Sequence, residues 1–129
     1  MDKVVHFEIP VDDRARATDF FGSVFDWELN DVDMGDGAVY TTVTTVPVDE
    51  QMMPAERGAI NGGLMDRKAD PAAPVITVQV DSIDETLKKI EAGGGSTITP
   101  RTPIPNMGAF AYFKDSEGNT MGLWETAIA

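Results

Sequence analysis

The sequence contains an internal duplication, and this feature limits the possible folds more than any other. An alternating apolar run that ends on an acid occurs at residues 4–12 and again at 74–81. Each run is followed by a stretch with helical spacing, and each half closes on a related tetrapeptide, at 63–66 and at 122–125. Self-similarity of this kind indicates a repeated supersecondary unit. We therefore expect equivalent positions of two modules to meet, and function to lie where they meet.

The predicted elements follow the same order in both halves. A short side-chain oxygen of Asp12 or Asp13 can cap the first helix, and Asp81 or Ser82 can cap the second. Period-two alternation marks the strands on either side of each helix. The predicted strands are 4–10, 27–29, 38–44, 58–65, 75–80, 96–100, 109–114 and 119–125. The order is βαβββ twice, which predicts the α+β fold class.

The length of 129 residues fits a single domain built from both modules. We place module one at about 1–66, a linker at about 67–73 and module two at about 74–129. Apolar residues of the first helix recur at helical spacing, so we expect Phe21, Val24 and Phe25 to be buried against the first strand. Trp27, which follows that helix, is expected to serve packing.

The composition excludes several classes of protein. The net charge is −12 with only 10 basic residues, which argues against nucleic acid as a partner because phosphates require many cations. The absence of cysteine excludes disulfides and thiolate metal sites. No apolar run is long enough to span a membrane, and the first residues lack the long apolar stretch that is typical of a signal peptide. We expect a cytoplasmic location, with the acidity serving solubility or a high-salt cytoplasm.

Two segments, 20–27 (FFGSVFDW) and 113–119 (FKDSEGN), together with the duplication, resemble the vicinal oxygen chelate superfamily. That family includes glyoxalase I, the bleomycin-resistance proteins and the extradiol dioxygenases. The resemblance covers essentially the whole chain. It implies a glyoxalase-like fold, in which two tandem modules form a curled mixed sheet around a cup. It also implies a homodimer, because small members of the superfamily usually dimerise.

The resemblance also assigns four positions at which metal-dependent relatives carry ligands. In this sequence those positions are His6, Val75, Gly63 and Gly122. Imidazole and carboxylate are the donors that such metals take, and valine and glycine offer neither. We therefore predict no metal cofactor. This departure argues against glyoxalase and dioxygenase chemistry, in which the metal polarises a substrate oxygen or binds oxygen.

His6 and Glu8 are the candidate catalytic residues. His6 is the only histidine, and Glu8 follows it by two residues, so the two side chains share one face of a strand. Such a pair can transfer protons. The alternatives are an ordinary ion pair at a rim and a structural histidine bonded to a carbonyl.

Five further residues are candidates for ligand binding. All stand on predicted strands, two or four residues from one of the assigned ligand positions, so each should share its face with that position. Polar side chains inside a cup need partners that a ligand could supply, and tryptophan offers a broad apolar surface with one N–H donor. A solvated strand face or plain core is the alternative for each. The five are Asn61, Thr77, Gln79, Thr120 and Trp124.

These observations predict a metal-free protein that binds a small, partly apolar organic molecule in the cup. The resemblance supplies a precedent, because the bleomycin-resistance proteins of that superfamily sequester a drug without catalysis. The alternative is a glyoxalase-related enzyme: a metal-independent lyase or isomerase that uses His6 and Glu8, or a metal-dependent lyase with displaced ligands. A purely structural or interaction protein is the remaining class.

Overall fold

A computed structural model describes residues 1–35 and 37–127 of the chain. It confirms the α+β class and the order βαβββ twice. The elements of the first half are β1 (Lys3–Val11), α1 (Arg14–Phe25), β2 (Glu28–Asp33), β3 (Val39–Thr44) and β4 (Asn61–Asp66). Those of the second half are β5 (Val75–Gln79), α2 (Ile83–Ala92), β6 (Ser96–Ile104), β7 (Gly108–Lys114) and β8 (Thr120–Thr126).

Internal contacts divide the chain into two compact units. The first unit is residues 6–74, and the second unit is residues 1–5 together with those from 75 onward. In the first unit β1 and β4 are parallel, β4 and β3 are antiparallel, and β3 and β2 are antiparallel. In the second unit β5 and β8 are parallel, and β7 pairs antiparallel with both β8 and β6. Each unit therefore has its own four-stranded arrangement with the same pairing pattern.

Helix α1 begins at the second of its two predicted caps. The Asp13 side chain accepts a hydrogen bond from the Arg16 N–H at 3.0 Å, which satisfies one of the unpaired donors of the first turn. The helix ends at Asp26, which adopts the left-handed conformation at φ 59° and donates its N–H to the Gly22 carbonyl. The apolar spacing and the caps thus agree on where this helix lies.

The expected burial of the first helix is wrong for two of its three residues. Phe21 packs against the core of the first unit, with its ring centroid 5.4 Å from that of Trp27. Val24 is 55% exposed and Phe25 is 54% exposed, although the Phe25 ring lies 5.0 Å from Trp27. Apolar residues surround much of this helix, so only those on the sheet side, such as Ala17 and Phe21, reach the core. The packing role of Trp27 is confirmed.

Helix α2 packs more deeply. It begins after Ser82, whose hydroxyl accepts from the Glu85 N–H. Ile83 and Leu87 are buried in a cluster with apolar residues of β7 and β8, among them Ala111 and Leu123. In the described part of the chain, neither helix is long and apolar enough to cross a membrane.

Candidate functional site

His6 and Glu8 lie on β1, on the side of the sheet that faces away from α1. Their neighbours Phe7 and Ile9 pack into the apolar cluster that includes the α1 residue Phe21. Successive side chains of a strand point to opposite faces, so His6 and Glu8 lie on the other one. Glu8 is only 8% exposed, which is unusual for a carboxylate. A carboxylate buried in this way requires hydrogen-bond partners.

Tyr40 on β3 supplies such a partner. Its hydroxyl donates to Glu8 Oε2 at 3.0 Å and lies 2.9 Å from His6 Nε2. The three side chains therefore form one hydrogen-bonded chain within the first unit. Sequence reasoning missed Tyr40 because the contact joins strands 32 residues apart in sequence. Period-two alternation along β3 could have indicated Tyr40. Val43 packs on the helix side of the strand, so Tyr40, three residues earlier, points to the other face.

Gly63 makes the contact of Tyr40 with β1 possible. Gly63 is opposite Glu8 in the register of β4 and β1. A Cβ atom at this position would lie 2.0 Å from the Tyr40 hydroxyl oxygen, far inside van der Waals contact. The phenol thus occupies the space that a side chain at residue 63 would need.

Asn61 lies on the same strand as Gly63, and its side-chain amide makes hydrogen bonds with nearby backbone groups. Its Oδ1 atom accepts from the backbone N–H of Thr45 at 2.8 Å and of Val46 at 3.2 Å. Its Nδ2 atom donates to the Val46 carbonyl. These bonds fix the chain that follows β3, so a ligand-binding role for Asn61 would require the amide to exchange a partner.

Thr77 and Gln79 of β5 lie on the face of the second unit that points away from α2. Their neighbours Val78 and Val80 pack with the helix. Thr77 is buried, and it is opposite Gly122 in the register of β5 and β8. A Cβ atom on Gly122 would lie 2.6 Å from Thr77 Oγ1, so this glycine also leaves room for a neighbouring side chain.

Trp124 lies on the same face, between two partners. In the strand registers it is opposite Gln79 on one side and Phe110 on the other. The Phe110 ring makes an edge contact with Tyr112, at 5.8 Å between centroids. Thr120 is four residues before Trp124 on β8 and therefore shares its face. The structure thus brings the predicted ligand-binding residues of the second unit onto one surface, with two aromatic residues that sequence reasoning did not select.

Burial determines the charge state of His6. The loss of solvent around the imidazole lowers its pKa below the ordinary value of 6.5, and the nearby Glu8 carboxylate opposes that shift only partly. At neutral pH the ring is therefore uncharged. An uncharged imidazole has one N–H donor and one nitrogen that can accept a proton or a hydrogen bond.

The residues present do not fit the metal that the resemblance implies. No three His, Asp or Glu side chains of residues 1–35 and 37–127 are grouped as a metal would require. The Nε2 atom of His6 contacts Tyr40, and Tyr40 fills the space beside Gly63. The space beside Gly122 is taken by Thr77, and the fourth family position is a valine. Metal binding would need a different donor set.

Comparison with known proteins agrees with this architecture. The family model of the Glyoxalase/Bleomycin resistance protein/Dioxygenase superfamily matches residues 3–123. Two curated relatives, from Mycobacterium bovis and Mycobacterium tuberculosis, carry the name "Putative glyoxylase CFP32" and are 27% identical over 120 residues. The match covers 92% of this chain but 43% of each relative, so the chain spans less than half the length of these proteins.

Solved structures show the same fold at low identity. The hypothetical protein BH1468 from Bacillus halodurans C-125 superposes with a TM-score of 0.68 at 16% identity, covering 99% of this chain and 96% of the other. A methylmalonyl-CoA epimerase from Streptomyces coelicolor, in complex with 2-nitronate-propionyl-CoA, gives 0.65 at 15% identity with 98% of both chains covered. At these identities the likeness concerns the fold alone.

Proposed function

Because the chain belongs to the Glyoxalase/Bleomycin resistance protein/Dioxygenase superfamily, we propose that it binds a small, partly apolar organic molecule without the help of a metal. The observation that carries this proposal is the position of Trp124 between Gln79 and Phe110 on the face away from α2. The indole and phenyl rings offer apolar area, and the Gln79 amide offers a donor and an acceptor. Small-molecule sites combine such apolar surface with a few polar groups.

The proposal is tested with the neutral fluorescent probe N-phenyl-1-naphthylamine. Replacing Trp124 with alanine should weaken probe binding by about tenfold or more, which corresponds to at least about 1.4 kcal/mol. Trp27→Phe is the matched control, because Trp27 packs inside the first unit. Circular dichroism melting should show that both variants remain folded.

A second control covers the exposed apolar residues of α1. Phe20 is 55% exposed and could attract the same probe. Phe20→Ser should leave the affinity unchanged. Equal affinity of the Trp124→Ala variant and the parent protein, with a loss in the Phe20→Ser variant, would move the site to α1 and contradict the proposal.

A second candidate function is proton transfer by a metal-independent lyase or isomerase. The specific observation in its favour is the hydrogen-bonded chain of His6, Tyr40 and Glu8, with an uncharged imidazole at one end. A neutral histidine can act as general base, which contributes roughly 10²–10⁴-fold to a rate. The methylmalonyl-CoA epimerase that shares the fold supplies a first substrate to try.

This candidate is tested by incubating methylmalonyl-CoA with the protein in deuterated water and following deuterium uptake by mass spectrometry. Catalysed exchange should fall by roughly 10²–10⁴-fold in a His6→Ala variant. A variant that keeps the full rate would remove His6 from catalysis. Exchange no faster than in a protein-free control would remove this substrate class and leave the binding proposal in place.

A further inference from the structure

The Tyr40 hydroxyl has one proton to donate, and Glu8 and His6 both lie within hydrogen-bond distance of it. It lies 3.0 Å from Glu8 Oε2 and 2.9 Å from His6 Nε2. An ionised carboxylate can only accept hydrogen bonds, so the Tyr40 proton is directed to Glu8. The contact with His6 must then run the other way, with the imidazole donating to the Tyr40 oxygen.

This donation determines which nitrogen of His6 carries the proton. An uncharged imidazole has a single N–H group, and here that group is at Nε2. The Nδ1 atom is left with its lone pair. Among the described residues Nδ1 has no hydrogen-bond partner, and no unpartnered side-chain nitrogen or oxygen is fully buried. Nδ1 is therefore an acceptor without a protein partner among the described residues, and it is not fully buried on the sheet face that points away from α1.

We propose that Tyr40 is a positioning residue that holds His6 in the Nε2–H tautomer, and that Nδ1 accepts a hydrogen bond from an O–H or N–H group of the ligand. The second half of this statement rests on the small-molecule function proposed above; the first half does not. The ligand chemistry follows from the lone pair, because a carboxylate oxygen placed against Nδ1 would be repelled. A ligand with a neutral hydroxyl or amino group fits this acceptor.

The tautomer is measured by nitrogen-15 nuclear magnetic resonance on the ligand-free protein above neutral pH. His6 is the only histidine, so one pair of ring nitrogen signals reports on it without ambiguity. Nε2 should appear at the shift of a protonated nitrogen, with its proton slow enough in exchange to be observed, and Nδ1 at the shift of an unprotonated one. A spectrum with the proton on Nδ1 would overturn the proposal.

Two variants separate the action of Tyr40 from a general structural effect. Tyr40→Phe removes the hydroxyl that accepts from Nε2 and donates to Glu8, so the Nε2 proton should exchange with solvent and its signal should be lost. Gly63→Ala should give the same result by displacing the phenol, because its Cβ atom would lie 2.0 Å from the Tyr40 oxygen. Tyr112→Phe in the second unit is the matched control and should leave the spectrum unchanged. A Tyr40→Phe spectrum identical to that of the parent protein would overturn the positioning role.

The acceptor role of Nδ1 is tested with two molecules of similar shape. Benzyl alcohol carries a hydroxyl donor and toluene does not. Benzyl alcohol should move the Nδ1 signal toward the shift of a protonated nitrogen, and toluene should leave it in place. If toluene moves the signal as far, or neither molecule moves it, the acceptor role fails while the tautomer measurement stands on its own.

Discussion

The two units repeat the same elements, but the sheet face that points away from the helix differs between them. In the first unit this face carries the hydrogen-bonded chain of His6, Tyr40 and Glu8. In the second unit the residues of β5 and β8 on the same face are neutral and include Thr77 and Trp124. One face is arranged to hold protons at defined atoms, and the other offers aromatic and amide surface.

The equivalent glycines show how this divergence is built. Gly63 and Gly122 occupy matching positions of the two tetrapeptides, and each lacks the side chain that would block a neighbour. Beside Gly63 the space holds Tyr40, whereas beside Gly122 it holds Thr77. The repeat therefore preserves where space is left and not what fills it. Chemistry inferred for one unit does not transfer to the other.

The two helices also differ, in how deeply their residues are buried. None of the twelve residues of α1, all of which are described, is fully buried. Helix α2 buries Ile83 and Leu87 in the larger of the two apolar clusters. Stability should therefore respond more strongly to truncation in α2 than in α1.

The largest expected effect comes from that comparison. Ile83 is 0% exposed, so Ile83→Ala should lower the free energy of unfolding by about 2–5 kcal/mol. Phe25→Ala should cost clearly less, because more than half of the Phe25 side chain is already in solvent. Denaturant unfolding followed by circular dichroism measures both. A Phe25→Ala variant as unstable as Ile83→Ala would show that α1 is covered in solution.

The next effect distinguishes the two neighbouring glycines of β4. A Cβ atom on Gly62 would lie 2.4 Å from the Phe7 carbonyl oxygen, and backbone in a strand cannot easily move away. Gly62→Ala should therefore destabilise the protein by about 1–3 kcal/mol or more. Gly63→Ala meets the tip of Tyr40, which can turn aside, so its melting temperature should fall less. If Gly63→Ala lowered the melting temperature more than Gly62→Ala, the main role of Tyr40 would be to stabilise the fold and not to position His6.

Much of the fold could be predicted from the sequence because alternation and capping are local. The observed N-caps of the two helices, Asp13 and Ser82, were among the predicted caps. The face that Thr77 and Gln79 share follows from the period-two alternation of a strand. The exposure of Val24 could not be predicted, because helical spacing alone does not say which side of an apolar helix meets the sheet. Tyr40 was missed because its contacts depend on strand pairing between distant segments.

A smaller effect concerns the pH dependence of stability. Burial holds the pKa of His6 below its ordinary value of 6.5, so the unfolded chain takes up this proton first as the pH falls. Well above pH 6.5 the imidazole is neutral in both states and contributes no pH dependence. Below it, the parent protein should lose stability relative to a His6→Gln variant. Unfolding curves on both sides of pH 6.5 measure the difference. A parent protein that gains stability on acidification relative to the variant would show that the Glu8 charge outweighs burial.

The metal content of the purified protein tests the proposed metal-free function most directly. The protein is prepared without chelators or an affinity tag, dialysed, and analysed by inductively coupled plasma mass spectrometry. Because Gly63 and Gly122 offer no donors and their space is filled by Tyr40 and Thr77, zinc, nickel, iron, manganese and cobalt should together be far below one ion per chain. Near-stoichiometric metal that survives dialysis would contradict the metal-free function and would require ligands among carboxylates such as Glu8.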